Sequence, residues 1–172
     1  MLIDRLIRQM RSAPEHKVSR PRMYELFLLR GEVLPFDLRW FYNRCGEARL
    51  FYKEERYLTL LEPTELISAN KRIVGKDHDY DISSYWYVFA QDADGEYLSI
   101  DLHPKRLGRI YDTNHVNHAL EGYTPIIALS FSEFLERSLN YRPNYYWLDR
   151  DFRGYGDAYD NIEVEWDEDA IY

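Results

Sequence analysis

The first twelve residues repeat apolar positions at helical spacing: Leu2, Ile3, Leu6, Ile7 and Met10 share one stripe, and Asp4, Arg5 and Arg8 fall off it. That pattern predicts an amphipathic helix over residues 1–12. "SAPEHKVS" breaks it. A second helix is expected to start after Ser19, which can cap orphan N–H groups, with Pro21 in its first turn. It would run through "RMYELFLLR" to Gly31. A third, short helix is expected between the tight entry at Leu34-Pro35 and a stop at Gly46.

Beyond Gly46 the period shortens. "ARLFY" and "RYLTLL" read as strands joined by the polar corner "KEER". "EPTELISANKR" reads as a short helix capped by Thr64, and "VGKDHDYDISS" as a polar loop. Tyr85 to Gln91 is rich in aromatic and β-branched residues, and "EYLSIDL" alternates with Leu98, Ile100 and Leu102 on one face. Between them "DADG" supplies Asp for local turns and Gly95 for a positive φ. A four-residue corner would pair Phe89 with Leu98; a bulged three-residue corner would pair Ala90 with Leu98. Both registers stay open.

"GRIYDT" is a further strand candidate, and "TPIIALS" leads into a closing helix. Ser130 with Glu133 forms a capping-box pattern, and Phe131, Phe134, Leu135 and Leu139 recur at helical spacing. Helices come first, then mostly strands, then a helix, with no βα alternation. The class this order predicts is α+β, a largely antiparallel sheet with helices packed on one side. The 172 residues fit a single domain, with a core over residues 20–140 and an aromatic and acidic extension over 141–172.

Composition narrows the chemistry. The lone Cys45 excludes an internal disulfide framework and fits a reducing compartment. It is placed at a helix end, where the dipole would raise its thiol pKa. No stretch resembles a leader peptide or a membrane span, so a cytoplasmic protein is expected. The formal charge is −8. From Gly154 to Tyr172 there are seven acids and no Lys or Arg, which leaves 23 acids against 22 bases before that point. A neutral body with an acidic end suits a basic protein partner and disfavours nucleic acid.

Three constellations invite chemistry. Asp92 and Asp94 beside Gly95 fail the calcium-loop spacing, since the twelfth position is His103, and are read as a hairpin corner. Asp101, His103, Asp112, His115 and His118 could build a metal-dependent hydrolase, but the spacing is too loose to be preferred over a solvated loop. Lys105, Arg106 and Arg109 form a small basic spot, read as an exposed loop. No catalytic residue, metal or cofactor is therefore assigned. The end of the chain offers more: "NIEVEWDED" alternates apolar Ile162, Val164 and Trp166 with acids, as an edge strand does. The candidate partner-binding residues are Asp157, Tyr159, Asp160, Glu163, Glu165, Trp166, Asp167, Glu168 and Asp169. An acidic docking face and a purely structural edge both fit them.

"LPFDLRWFYNRCGEARLF", "YWYVFAQDADGEYLSIDL" and "IIALSFSEFLERSL" stand in the order of three signature blocks. Together they resemble the SUKH superfamily, which includes the yeast SMI/KNR cell-wall assembly regulators and many bacterial immunity proteins. The resemblance covers about residues 20–140. It departs at Cys45-Gly46, where Asn-Gly is usual, and it does not reach the first helix or the tail. It implies a non-enzymatic α+β binding domain: an immunity protein that covers a cognate toxin, often a nuclease. A regulatory scaffold on the same fold is the alternative.

Overall fold

In a computed structural model, which describes residues 1–26, 28–141 and 145–160, the stripe of residues 1–12 folds as helix α1 (Leu2–Ser12). Ile3, Leu6, Ile7 and Met10 are buried on it, as their spacing predicts. α2 (Phe36–Tyr42) starts directly after Pro35, and α3 (Phe131–Asn140) follows Ser130. The Ser130 side chain accepts from the Glu133 N–H at 3.1 Å. Its expected reciprocal bond is redirected, because the Glu133 carboxylate takes the Leu129 N–H at 2.8 Å. Asp37 ties α2 to α3: its Oδ2 accepts from the Ser132 N–H at 2.7 Å.

Among the described residues, seven strands form one antiparallel sheet in sequential order. They are β1 (Lys17–Val18), β2 (Ala48–Leu50), β3 (Leu58–Leu60), β4 (Trp86–Asp92), β5 (Tyr97–Asp101), β6 (Ile110–Asp112) and β7 (Ile126–Ala128). The α+β class and the strands read from "ARLFY", "RYLTLL", "GRIYDT" and the 85–102 hairpin are present.

At the β4–β5 corner the bulged register holds: Ala90 pairs with Leu98 and Gln91 with Tyr97. Asp92 organises the turn, its Oδ1 accepting from the Asp94 and Glu96 N–H groups at 2.9 Å each. Gly95 takes φ +88°, a left-handed value that L side chains rarely adopt. The acids near Gly95 thus shape a hairpin. Further along the same pair, the register jumps a residue at Phe89, between Val88↔Ser99 and Ala90↔Leu98. This bulge lets Phe89 and Ala90 both join the helix-side core.

Two expectations fail. Among the described residues of 20–30 there is no helix. The preceding strand β1 is held extended against β2, and the Ser19 Oγ donates to the Glu47 carbonyl at 2.9 Å instead of capping. The chain that follows is pinned by side chains, with the Leu29 N–H donating to Tyr87 Oη at 2.9 Å and Arg30 reaching the Ser84 carbonyl at 2.8 Å. Tertiary bonds override helix propensity there. Thr64 is not a cap either. It lies inside a 3₁₀ turn, Pro63–Glu65, whose cap is Glu62, and a π-helical turn follows at Asn70–Val74.

The helices pack on one face of the sheet. Phe41, Phe89, Phe131, Phe134, Leu135 and Leu139 lie in this core with Tyr145, Tyr146 and Trp147 from beyond α3. Each fully buried side chain of this size contributes roughly 1.5–3 kcal/mol. On the reverse face Trp86, Val88, Tyr111 and Ile126 are covered by loops, with Ala69, Ile73, Ala119, Ala158 and Tyr159 against them.

Candidate partner-binding face

The aromatic run after α3 is spent on the fold. Tyr145 donates to the Tyr57 carbonyl at 2.7 Å and accepts from the Ala93 N–H at 2.8 Å, and Tyr146 donates to the Ile127 carbonyl at 3.0 Å. From Gly154 the chain lies along β7. The Tyr155 N–H donates to Ile126 at 3.0 Å, the Ile126 N–H to Gly156 at 2.9 Å, and the Ala158 N–H to Thr124 at 2.8 Å. Residue 154 must be glycine: an added Cβ would stand 2.9 Å from the Ile126 carbonyl oxygen. The exposed edge of β7 is closed in this way.

Three of the nine predicted binding residues are described, and they meet at the end of this clasp. Asp157 accepts from the Thr124 N–H at 2.9 Å and the Tyr159 N–H at 3.1 Å. Asp160 accepts from the Asp157 N–H at 2.8 Å, and Tyr159 donates to the Ala119 carbonyl at 2.8 Å. Burial first, and then the charges of Asp81, Glu121 and Asp157, push the Tyr159 phenol up to about 12. Asp81 and Glu121, both exposed, are thus near enough to Tyr159 for their charges to act on it. Tyr80, Val116, Leu120 and Tyr123, all exposed, stand on the same loops. Glu163, Glu165, Trp166, Asp167, Glu168 and Asp169, like the strand pattern at 162–167, lie outside the described residues.

Sequence reasoning missed Asp81 and Glu121. "VGKDHDYDISS" read only as a polar loop, and nothing local signals that it folds back beside Tyr159.

The histidine-rich stretch is dispersed. Asp112 pairs with Leu98, so strand alternation puts it on the helix side. Burial, then Asp92 nearby, raises its carboxyl to about 6. His115 is held by Glu96, and the His103 Nδ1 accepts from the Lys105 N–H at 3.2 Å. His118 lies on the reverse face, edge-on to Trp86, with Nε2 2.7 Å from Asn70 Oδ1. Burial lowers its pKa to about 4. Among the described residues, no three His, Cys, Asp or Glu side chains converge as metal ligands.

Asp101 turns out to be a structural hub. Fully buried, it accepts from Trp86 Nε1 at 3.1 Å, Tyr111 Oη at 2.8 Å and the His103 N–H at 2.8 Å, and it pairs with Arg106 at 2.7 Å. Arg106 is only 12% exposed, so the basic spot read as an exposed loop is in part a buried ion pair. Cys45 is buried as well. Burial raises its thiol pKa, opposed by Arg11.

The profile of the SMI1/KNR4 family (SUKH-1) matches residues 26–137. The chain belongs to this family. Its matched span holds α2, all strands from β2 to β7 and most of α3. The immunity protein YokJ of Bacillus subtilis (strain 168) is 39% identical over 170 residues, covering 96% of this chain and 100% of the relative. At that coverage the alignment extends past the span that the family profile matches. No solved structure matches the chain significantly. Among the described residues, no helix is long and apolar enough to cross a membrane.

Proposed function

We infer that this SUKH-type chain is a cytoplasmic immunity protein, a non-enzymatic binder that neutralises a cognate bacterial toxin by covering its active site or substrate groove. The observation that carries this reading is the 39% identity to an immunity protein over 96% of the chain, which extends beyond the family core. Asp81, Glu121 and Asp157, whose charges act on Tyr159, together with the acids that follow in the tail sequence, support a basic partner. A toxin that processes nucleic acid has such a surface, and opposite potentials speed encounter and penalise wrong partners. Asp157 and Asp160 shape the clasp and add their charge to it. Asp81, Glu121 and the tail acids Glu163, Glu165, Asp167, Glu168 and Asp169 supply the charge, with Trp166 and Tyr159 as aromatic contacts.

The test is co-expression with the product of the adjacent gene, scored by survival and co-purification. Rescue with a stable one-to-one complex is expected, and Glu121→Lys should weaken both. A toxic neighbour that is neither bound nor neutralised would contradict the reading and favour a regulatory scaffold.

A further inference from the structure

On the loops around Tyr159 three large side chains face water: Tyr80 is 88% exposed, Leu120 49% and Tyr123 65%. Leu120 and Tyr123 share a turn, the Tyr123 N–H donating to the Leu120 carbonyl at 3.1 Å, with Glu121 between them. That turn is fixed from two sides. Thr124 Oγ1 donates to the Asn117 and Leu120 carbonyls at 2.8 and 3.1 Å, and Tyr159 Oη donates to the carbonyl of Ala119 at 2.8 Å. The loop of Tyr80 is tied to the same place by polar contacts. Ser83 Oγ lies 3.1 Å from Asp81 Oδ1 and 2.9 Å from Asn70 Oδ1, and His118 Nε2 lies 2.7 Å from the same Asn70 oxygen. Asp81, next to Tyr80, stands close enough for its charge to act on both His118 and Tyr159.

Large apolar groups held at the surface and rimmed by polar ones mark interaction sites. The rim here has one sign. Residues 77–84, 114–124 and 154–160 carry six carboxylates, Asp77, Asp79, Asp81, Glu121, Asp157 and Asp160, and no Lys or Arg. Arg30 reaches in from outside these segments to pair with Asp79. A second copy of the chain, related by a two-fold axis, would set carboxylates against carboxylates, and a nucleic acid would set phosphates against them. A basic protein segment meets no such repulsion.

We propose that Tyr80, Leu120 and Tyr123 are the anchor of the partner interface and receive an apolar or aromatic side chain of a protein segment flanked by Lys or Arg, which the surrounding carboxylates steer into place. This rests on the immunity reading, and it assigns the affinity to three apolar side chains rather than to charge. Buried anchors set the lifetime of a complex, whereas rim charges set its association rate and salt dependence.

The experiment is the binding kinetics of the full chain with the adjacent gene's product, at low and at high salt. Tyr80→Ala and Leu120→Ser should each speed dissociation about thirtyfold, with association and its salt dependence nearly unchanged. Glu121→Gln should do the reverse, slowing association about threefold at low salt only. Phe36→Ala, at an exposed position on α2, should change neither. The Tm of each variant should stay within about 2 °C of the wild type, because every substituted side chain is exposed. A complex that the wild type forms, and that Tyr80→Ala and Leu120→Ser leave at the wild-type rate, would overturn the anchor and leave immunity standing. A toxic neighbour that the wild type does not bind would overturn the immunity reading and the anchor with it. A Tm lowered by more than about 5 °C in Tyr80→Ala or Leu120→Ser would show these side chains already covered within the chain. Self-association of the free wild type that Leu120→Ser abolishes would show them covered by a second copy. Either result would overturn the proposal.

Discussion

On the helix side of the sheet Phe41 meets Phe131 at 5.0 Å and Phe89 meets Phe134 at 5.2 Å, ring against ring. On the reverse side Trp86 stacks on Tyr111 at 4.3 Å, and both then donate to the buried carboxylate of Asp101. Ser83 Oγ and His118 Nε2 lie 2.9 and 2.7 Å from Asn70 Oδ1, and Ser99 and Thr113 pair at 2.7 Å. Three helices cover the first face, loops and short helical turns the second. Apolar packing is non-directional and tolerates exchange. A buried polar network demands each partner and fixes one arrangement. On the reverse face these bonds, rather than helices, tie the covering loops to the sheet, although Asn70 Nδ2 and His118 Nδ1 stay without a partner among the described residues.

The largest effect expected from this contrast comes from Asp101→Ala. It strands Arg106, Trp86 and Tyr111, and should cost about 3–5 kcal/mol in urea unfolding. A loss below about 1 kcal/mol would show that the network is dispensable. On the helix side Leu135→Ala should cost about 3 kcal/mol, from lost transfer energy and the cavity left behind.

Acid should act on the two faces in opposite directions. Asp112, raised from 3.8 to about 6, contributes stability that is full below pH 3.8 and is lost as pH rises through about 6. Asp112→Asn should therefore stabilise by about 3 kcal/mol at pH 7.5 and by little at pH 3.5, read from Tm at both. His118, lowered from 6.5 to about 4, excludes a proton that the unfolded chain accepts. It withdraws stability as pH falls from 6.5 to about 4, by about 3 kcal/mol. His118→Gln should flatten that part of the stability–pH curve; an unchanged slope would place the acid sensitivity elsewhere. The smallest effect belongs to the cap, with about 1 kcal/mol lost in Ser130→Ala.

Local patterns announced the helix side. The stripe of α1, the Ser130 cap and the Asp92–Gly95 corner are each set by residues within four positions of one another, and all three formed. The segment 20–30 misled because its conformation is fixed by Tyr87 and Ser84, more than fifty residues away. Asp157 and Asp160 accept backbone N–H bonds in the clasp, a turn-making role that the acidic spacing of the sequence did not announce. Asp81 and Glu121 join Tyr159 only through the folding of loops distant in sequence.

Hydrogen exchange on the protein alone and in complex with the adjacent gene's product tests the docking face most directly. Protection on binding is predicted over residues 77–84, 114–124 and 154–160, with α1, α2 and α3 unchanged. Protection confined to the helices, with those loops exchanging as in the free protein, would contradict it.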